Sequence, residues 1–112
     1  MTEQGATIRC AIVRNHGRVA GRLEELSECF SFTYATEYLA RPDATSLSLT
    51  MPLRVEPYES PKLFPFFYGL LSEGSTRELQ ARLHRIDESD DFGLLIATGA
   101  DTIGSVTVEP LE

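Results

Sequence analysis

Apolar and polar residues alternate through the first third of the chain. Ile8, Cys10 and Ile12 interleave with Arg9, Ala11, Val13 and Arg14 up to Asn15-His16-Gly17, a spacing of two that predicts a strand. Asn and Gly tolerate positive φ, so that tripeptide suits a tight hairpin. Val19, Gly21, Leu23 and Leu26 continue as a second strand, and Phe30, Phe32 and Tyr34 form a third. The economical reading is a three-stranded antiparallel meander.

Residues 35–41 suit a short helical turn carrying Tyr38 and Leu39, broken at Arg41-Pro42-Asp43 because proline disfavours helix in the residue before it. Leu47, Leu49 and Met51 alternate with Ser46, Ser48 and Thr50 and stop at Pro52, the pattern of a fourth strand at a sheet edge. The stretch 54–62 holds Pro57 and Pro61 without apolar periodicity and predicts a surface loop.

From Leu63 the period changes. Leu63, Phe64, Phe67, Leu70 and Leu71 recur at helical spacing, with Pro65 acceptable in the first turn. Ser75-Thr76-Arg77-Glu78 has capping-box form, and Leu79, Leu83 and Ile86 supply a stripe expected to fill the core. A third helix is predicted from about Ser89, with Asp90 and Asp91 at its positive end, Phe92, Leu95 and Ile96 facing inward and Gly99 closing it. Residues 103–108 read as a last strand. The expected fold is α+β, an antiparallel sheet built from the N-terminal meander and a returning C-terminal strand, covered by about three helices.

Length changes this picture only by limiting it to one domain, 1–112. The 42% hydrophobic content is enough for a core of its own. No apolar run approaches the roughly 20 residues of a membrane span, and Met1 to Gly5 does not lead into an apolar signal segment. A cytoplasmic protein with no membrane partner is expected, with Cys10 and Cys29 as thiols rather than a disulfide. The formal charge of −7 and pI near 4.8 oppose direct nucleic-acid binding, which depends on basic side chains displacing counterions.

Candidate chemistry resolves mostly into structure. Gly17 and Gly21 sit in a hairpin and lack the strand-to-helix context of a phosphate loop. His16 and His84 have no neighbours at metal-ligand spacing. Ser72-Glu73-Gly74-Ser75 reads as a helix stop and a cap, and Asp87, Glu88, Asp90 and Asp91 lack calcium-loop spacing. No catalytic, cofactor or metal residues are therefore assigned. The surplus of aromatics at Phe64, Phe66, Phe67 and Tyr68 is different, because one helix face cannot bury all four. One is expected to protrude as a partner anchor, with Tyr58 and Phe64 favoured because they precede the regular helix. The candidate partner-binding residues are Glu56, Tyr58, Glu59, Phe64 and Phe66.

Several segments together resemble the N-terminal domain of HipA-type serine/threonine kinases. They are the hairpin with Gly17 and Gly21-Arg22-Leu23, Phe30-Ser-Phe32-Thr-Tyr34, Ser46-Leu-Ser-Leu-Thr-Met-Pro-Leu53, Phe66-Phe-Tyr-Gly-Leu-Leu-Ser-Glu-Gly74 with Arg77, Asp91-Phe-Gly-Leu-Leu95, and Gly99-Ala-Asp-Thr-Ile-Gly-Ser-Val106. They keep the family's order over about residues 8–108, with Ser72 where the family usually has proline. No kinase catalytic-loop signature is present, so no enzyme activity and no cofactor is expected. A free-standing domain of this kind resembles HipS, the small antitoxin of three-component HipBST systems. The resemblance implies a HipT-like kinase as partner, and a HipB-like DNA-binding protein in a ternary complex. The alternatives are an excised regulatory domain of a full-length HipA-type kinase, or a small-molecule-binding domain.

Overall fold

The structure, a computed structural model, describes residues 7–101 and 104–111. Five strands form one antiparallel sheet: β1 (Thr7–Asn15), β2 (Arg18–Leu26), β3 (Phe30–Tyr34), β4 (Tyr58–Ser60) and β5 (Val106–Pro110), in the spatial order β4-β3-β2-β1-β5. The β1–β2 connection is the two-residue turn His16-Gly17, both at positive φ (54° and 81°), which matches the right-handed twist of a hairpin. Asn15 is not a turn residue but the buried end of β1. Its side-chain amide donates to the Tyr38 hydroxyl (3.0 Å) and its carbonyl accepts from Ser105 Oγ (2.8 Å).

Ala11, Val13, Leu23, Phe32, Tyr34 and Val108 turn one face of the sheet into the core, while Ile8 and Val19 lie exposed on the strands. Gly21 is required where β2 crosses Phe32. A Cβ there would stand 2.4 Å from the Thr33 carbonyl oxygen and 2.7 Å from the Phe32 ring.

Four helices follow the expected order: α1 (Thr36–Leu39), α2 (Pro65–Tyr68), α3 (Gly74–His84) and α4 (Asp91–Thr98). Helix α4 buries Phe92, Leu94 and Leu95, with Ile96 partly covered, and Asp90 caps it by accepting from the Gly93 amide at 3.1 Å. Among the described residues no helix is long and apolar enough to cross a membrane.

The expectations fail where side chains or edges replace ladder bonds. The stretch 46–51 is a turn with one bridge, Ser48 to Met51, rather than a strand. The Tyr34 hydroxyl donates to the Met51 carbonyl and accepts from the Leu47 amide (3.0 Å), and the Tyr38 hydroxyl donates to the Thr45 carbonyl (2.6 Å). These tyrosines supply hydrogen bonds that a strand would take from a neighbour. The fourth strand lies instead at Tyr58–Ser60, inside the predicted loop, where Pro57 and Pro61 bracket an edge. Helix α2 is a single turn, because the chain tightens at Leu70 and Leu71 into three-residue hydrogen bonds. Strand β5 begins at Val106, and Ile103 lies outside the described residues.

Helix α3 differs most. It begins at Gly74, one residue before Ser75, and no side chain caps it, so the capping box does not form. Its phase is rotated. Ala81 is buried, whereas Leu79 and Leu83 are 49% and 70% exposed. Arg77 sets that phase by donating through Nη2 to the Glu88 carbonyl (2.6 Å) and Asp91 Oδ1 (2.7 Å), which turns the 77/81 side of the helix toward α4.

Arg9 joins the sheet to α4. Its guanidinium reaches Glu25 (2.5 and 3.0 Å) and Asp90 (2.9 and 3.0 Å) and stands 5.3 Å from the Phe92 ring centroid. The bond from Arg9 holds the Asp90 carboxyl below its usual range, helped by the Gly93 amide and opposed by burial. Burial, then Glu24, pushes the Cys10 thiol up. Cys10 and Cys29 are both thiols.

Two predictions follow from this packing. In urea melts Leu95→Ala costs about 2–5 kcal/mol, whereas Leu79→Ala and Leu83→Ala stay within about 0.5 kcal/mol of the parent. Because the folded value of Asp90 is depressed, its ionised form stabilises the fold at neutral pH, and that contribution is lost as pH falls through the depressed value. The stability gap between the parent and Asp90→Asn therefore narrows in acid, as pH-dependent melting curves would record.

Candidate partner-binding site

Three of the five residues singled out in the sequence come together at one edge of the sheet. Strand β4 pairs with β3 through Phe30 to Ser60, Ser31 to Glu59 and Phe32 to Tyr58, and it ends the strand order. A strand in that position presents unpaired backbone groups on its outer side. Glu59 points from it as an exposed carboxylate, and Glu56 is exposed in the preceding loop.

The loop entering β4 is closed on itself by two side chains. The Arg54 guanidinium carbon stands 3.7 Å from the Tyr58 ring centroid, a close cation–π stack. Arg54 also donates to the carbonyls of Glu56 (3.1 Å) and Pro57 (3.0 Å), and the Tyr58 hydroxyl donates to the Pro52 carbonyl at 2.5 Å. These contacts leave Val55 exposed on the loop between them. Next to this clasp in the chain, Leu49 stands at the tip of the 48–51 turn, 97% exposed, above a buried Met51.

The aromatics after the loop divide differently from the expectation. Phe64 is 8% exposed and packs edge-on to Phe67 with centroids 6.2 Å apart, so it is core and not a protruding anchor. Phe66 is partly buried against Phe67 at 5.2 Å. The aromatic that protrudes is Tyr68, at 49% exposure. Position within the single turn of α2 decides this: Phe64 and Phe67, three residues apart, share its inward side, and Tyr68 falls outside it.

Sequence reasoning missed Leu49 and Val55. The alternation around Leu49 resembles a strand, and only the hydroxyls of Tyr34 and Tyr38, which approach from β3 and α1, show that it is a turn. The proline spacing that marked a loop at 54–62 was the available signal for Val55.

The surface so assembled combines a free strand edge, two exposed aliphatic side chains and two carboxylates, which are groups suited to protein contact. Among the described residues, no three His, Cys, Asp or Glu side chains gather as a metal site. The open face of the sheet carries a concavity of about 380 Å³, bordered by Ile12, Val19, Arg22 and Thr33. Tyr58→Phe removes the bond to Pro52, with a net loss of about 1 kcal/mol. Amide hydrogen exchange is expected to quicken over 53–57 while α4 stays protected.

The model of the HipA N-terminal domain matches residues 11–109. An uncharacterized protein of Haemophilus influenzae is 35% identical over 102 residues, covering 91% of this chain and 92% of that protein. The putative kinase Y4mE of Sinorhizobium fredii is 31% identical over 105 residues, which are 93% of this chain and 25% of the kinase, so the chain spans about a quarter of that relative. Among solved structures, the N-terminal domain of HipA toxin superposes with a TM-score of 0.72 at 31% identity, covering 96% of both chains. The sheet, the order of the helices and these matches agree, and the chain belongs to the HipA N-terminal domain family.

Proposed function

We propose that the chain acts as a HipS-like antitoxin, neutralising a separate HipT-type serine/threonine kinase by direct protein contact and not by catalysis. The observation that carries this reading is the contrast between two relatives. The domain fills 92% of a Haemophilus influenzae protein, yet it is 25% of the putative kinase of Sinorhizobium fredii. A domain found both alone and joined to a kinase is suited to dock on that kinase from a separate chain.

The edge around β4 is the docking surface in this reading, with Glu56, Tyr58 and Glu59 joined by Leu49 and Val55. The Arg54–Tyr58 clasp and the flanking Pro57 and Pro61 hold the loop in shape before binding, which lowers the ordering cost of association. Leu49 and Val55 provide apolar contact, and Glu56 and Glu59 steer toward a basic cleft such as one that binds nucleotide phosphates. A HipB-like protein would supply operator binding, consistent with the net charge of −7 here. The match to part of a putative kinase favours one second reading, in which the same surface works as a regulatory module within a longer kinase chain.

Co-expression with the kinase tests the docking surface. Leu49→Asp and Tyr58→Ala are each expected to weaken binding by about 2 kcal/mol, roughly thirtyfold, and to abolish growth rescue. Melting temperatures must show that each variant is still folded. Full rescue by both folded variants would remove β4 and its loop from the interface.

A further inference from the structure

Among the described residues, helix α3 is held to the domain from one side. Ala81 is its buried residue, and Arg77 ties it to Asp91 and Glu88. The opposite side carries Leu79 and Leu83, one turn apart, 49% and 70% exposed. Open grooves flank the helix, one bordered by Arg85 and Ile86 and the other by Leu70 and His84. The leucines therefore crest a ridge with room for a second helix alongside.

Charge decides which helix fits. Glu78 and Arg82, at i and i+4, lie along one flank of the leucine pair, and Arg85, the left-handed C-cap that follows His84, borders the same groove; all three are exposed. Among the described residues none of the three takes part in an ion pair. The flank is thus acidic at its N-terminal end and basic at its C-terminal end. Two such flanks complement each other when they run antiparallel, since antiparallel helices related by a two-fold axis bring like flanks together. An axis near position 81 sets Leu79 against the partner's Leu83 and Leu83 against the partner's Leu79. It also brings Glu78 beside the partner's Arg82 and the partner's Arg85, and the same contacts repeat across the axis.

We propose that α3 is a self-association surface, pairing antiparallel with α3 of a second copy through Leu79, Leu83 and reciprocal contacts from Glu78 to Arg82 and Arg85. The segment 74–85 contains three arginines and one glutamate in a chain of net charge −7. Contact through α3 therefore keeps the acidic bulk of the two copies apart, where salt screens it beyond about 8 Å. Eleven residues make a helix about 16 Å long and roughly 10 Å across, so the face it offers falls well short of the roughly 800 Å² per partner of a standard interface. The dimer is weak, reversible and dependent on concentration.

Sedimentation velocity over a concentration series reaching the millimolar range tests this, with circular dichroism melts as the folding control. The parent chain should shift from monomer toward dimer, and Leu79→Glu with Leu83→Glu should stay monomeric while folded. Glu78→Arg alone, and Arg82→Glu with Arg85→Glu, should each raise the dimer dissociation constant about tenfold. An equimolar mixture of these two charge variants should associate as the parent does, because each supplies the charge the other has lost. A parent that remains monomeric throughout, a leucine variant that dimerises unchanged, or a mixture no better than its components would overturn the proposal. Loss of kinase binding in the leucine variant with a monomeric parent would assign the ridge to another protein, which also overturns it.

Discussion

Arg9 stands where the sheet meets its helical cover, and its guanidinium is shared between Glu25 of β2 and Asp90 at the start of α4. Asp90 has two duties, as partner of Arg9 and as cap of the Gly93 amide. The second leaves no space for a side chain at position 93, where a Cβ would lie 2.2 Å from an Asp90 carboxylate oxygen. That geometry sets the entry of α4, and with it the burial of Phe92, Leu94 and Leu95. Helix α3 then hangs on α4 through Arg77 and Asp91. A polar contact worth little at an exposed site thus gains importance here, because it orients the elements that carry the apolar burial.

Short-range patterns were readable in the sequence where each element's burial follows from its own spacing. The meander, the place of its first turn within residues 15–17 and the α4 stripe are of this kind, with Asp90 read as a charge at the start of α4 and not as its cap. Elements decided by distant partners were not. The alternation at 46–51 suits a strand until Tyr34 and Tyr38 take its hydrogen bonds. The stripe of Leu79 and Leu83 suits a core until Arg77 rotates α3 toward Asp91. Ser75 resembles a cap, yet the helix starts before it. In the candidate site Glu56, Tyr58 and Glu59 were legible as a proline-bounded surface segment. The core place of Phe64 was also signalled, by its three-residue spacing from Phe67, but its position ahead of the regular helix favoured a protruding anchor.

The same tyrosines that misdirect the strand reading give the edge its form. Tyr34 is buried in the core, where burial pushes its hydroxyl up, and from there it holds both ends of the turn that lifts Leu49 into solvent. Tyr58 and Arg54 do the same for the next loop from its outer side. Exposed apolar side chains on loops tied this firmly lose little conformational freedom on docking, which is the property a stoichiometric inhibitor needs.

Calorimetric titration of a purified, separately encoded HipT-type kinase with this chain, with phosphorylation followed on the same samples, tests the central claim most directly. The account predicts saturable binding of one chain per kinase and loss of kinase activity in proportion to occupancy. No measurable heat together with undiminished phosphorylation at excess chain would contradict it.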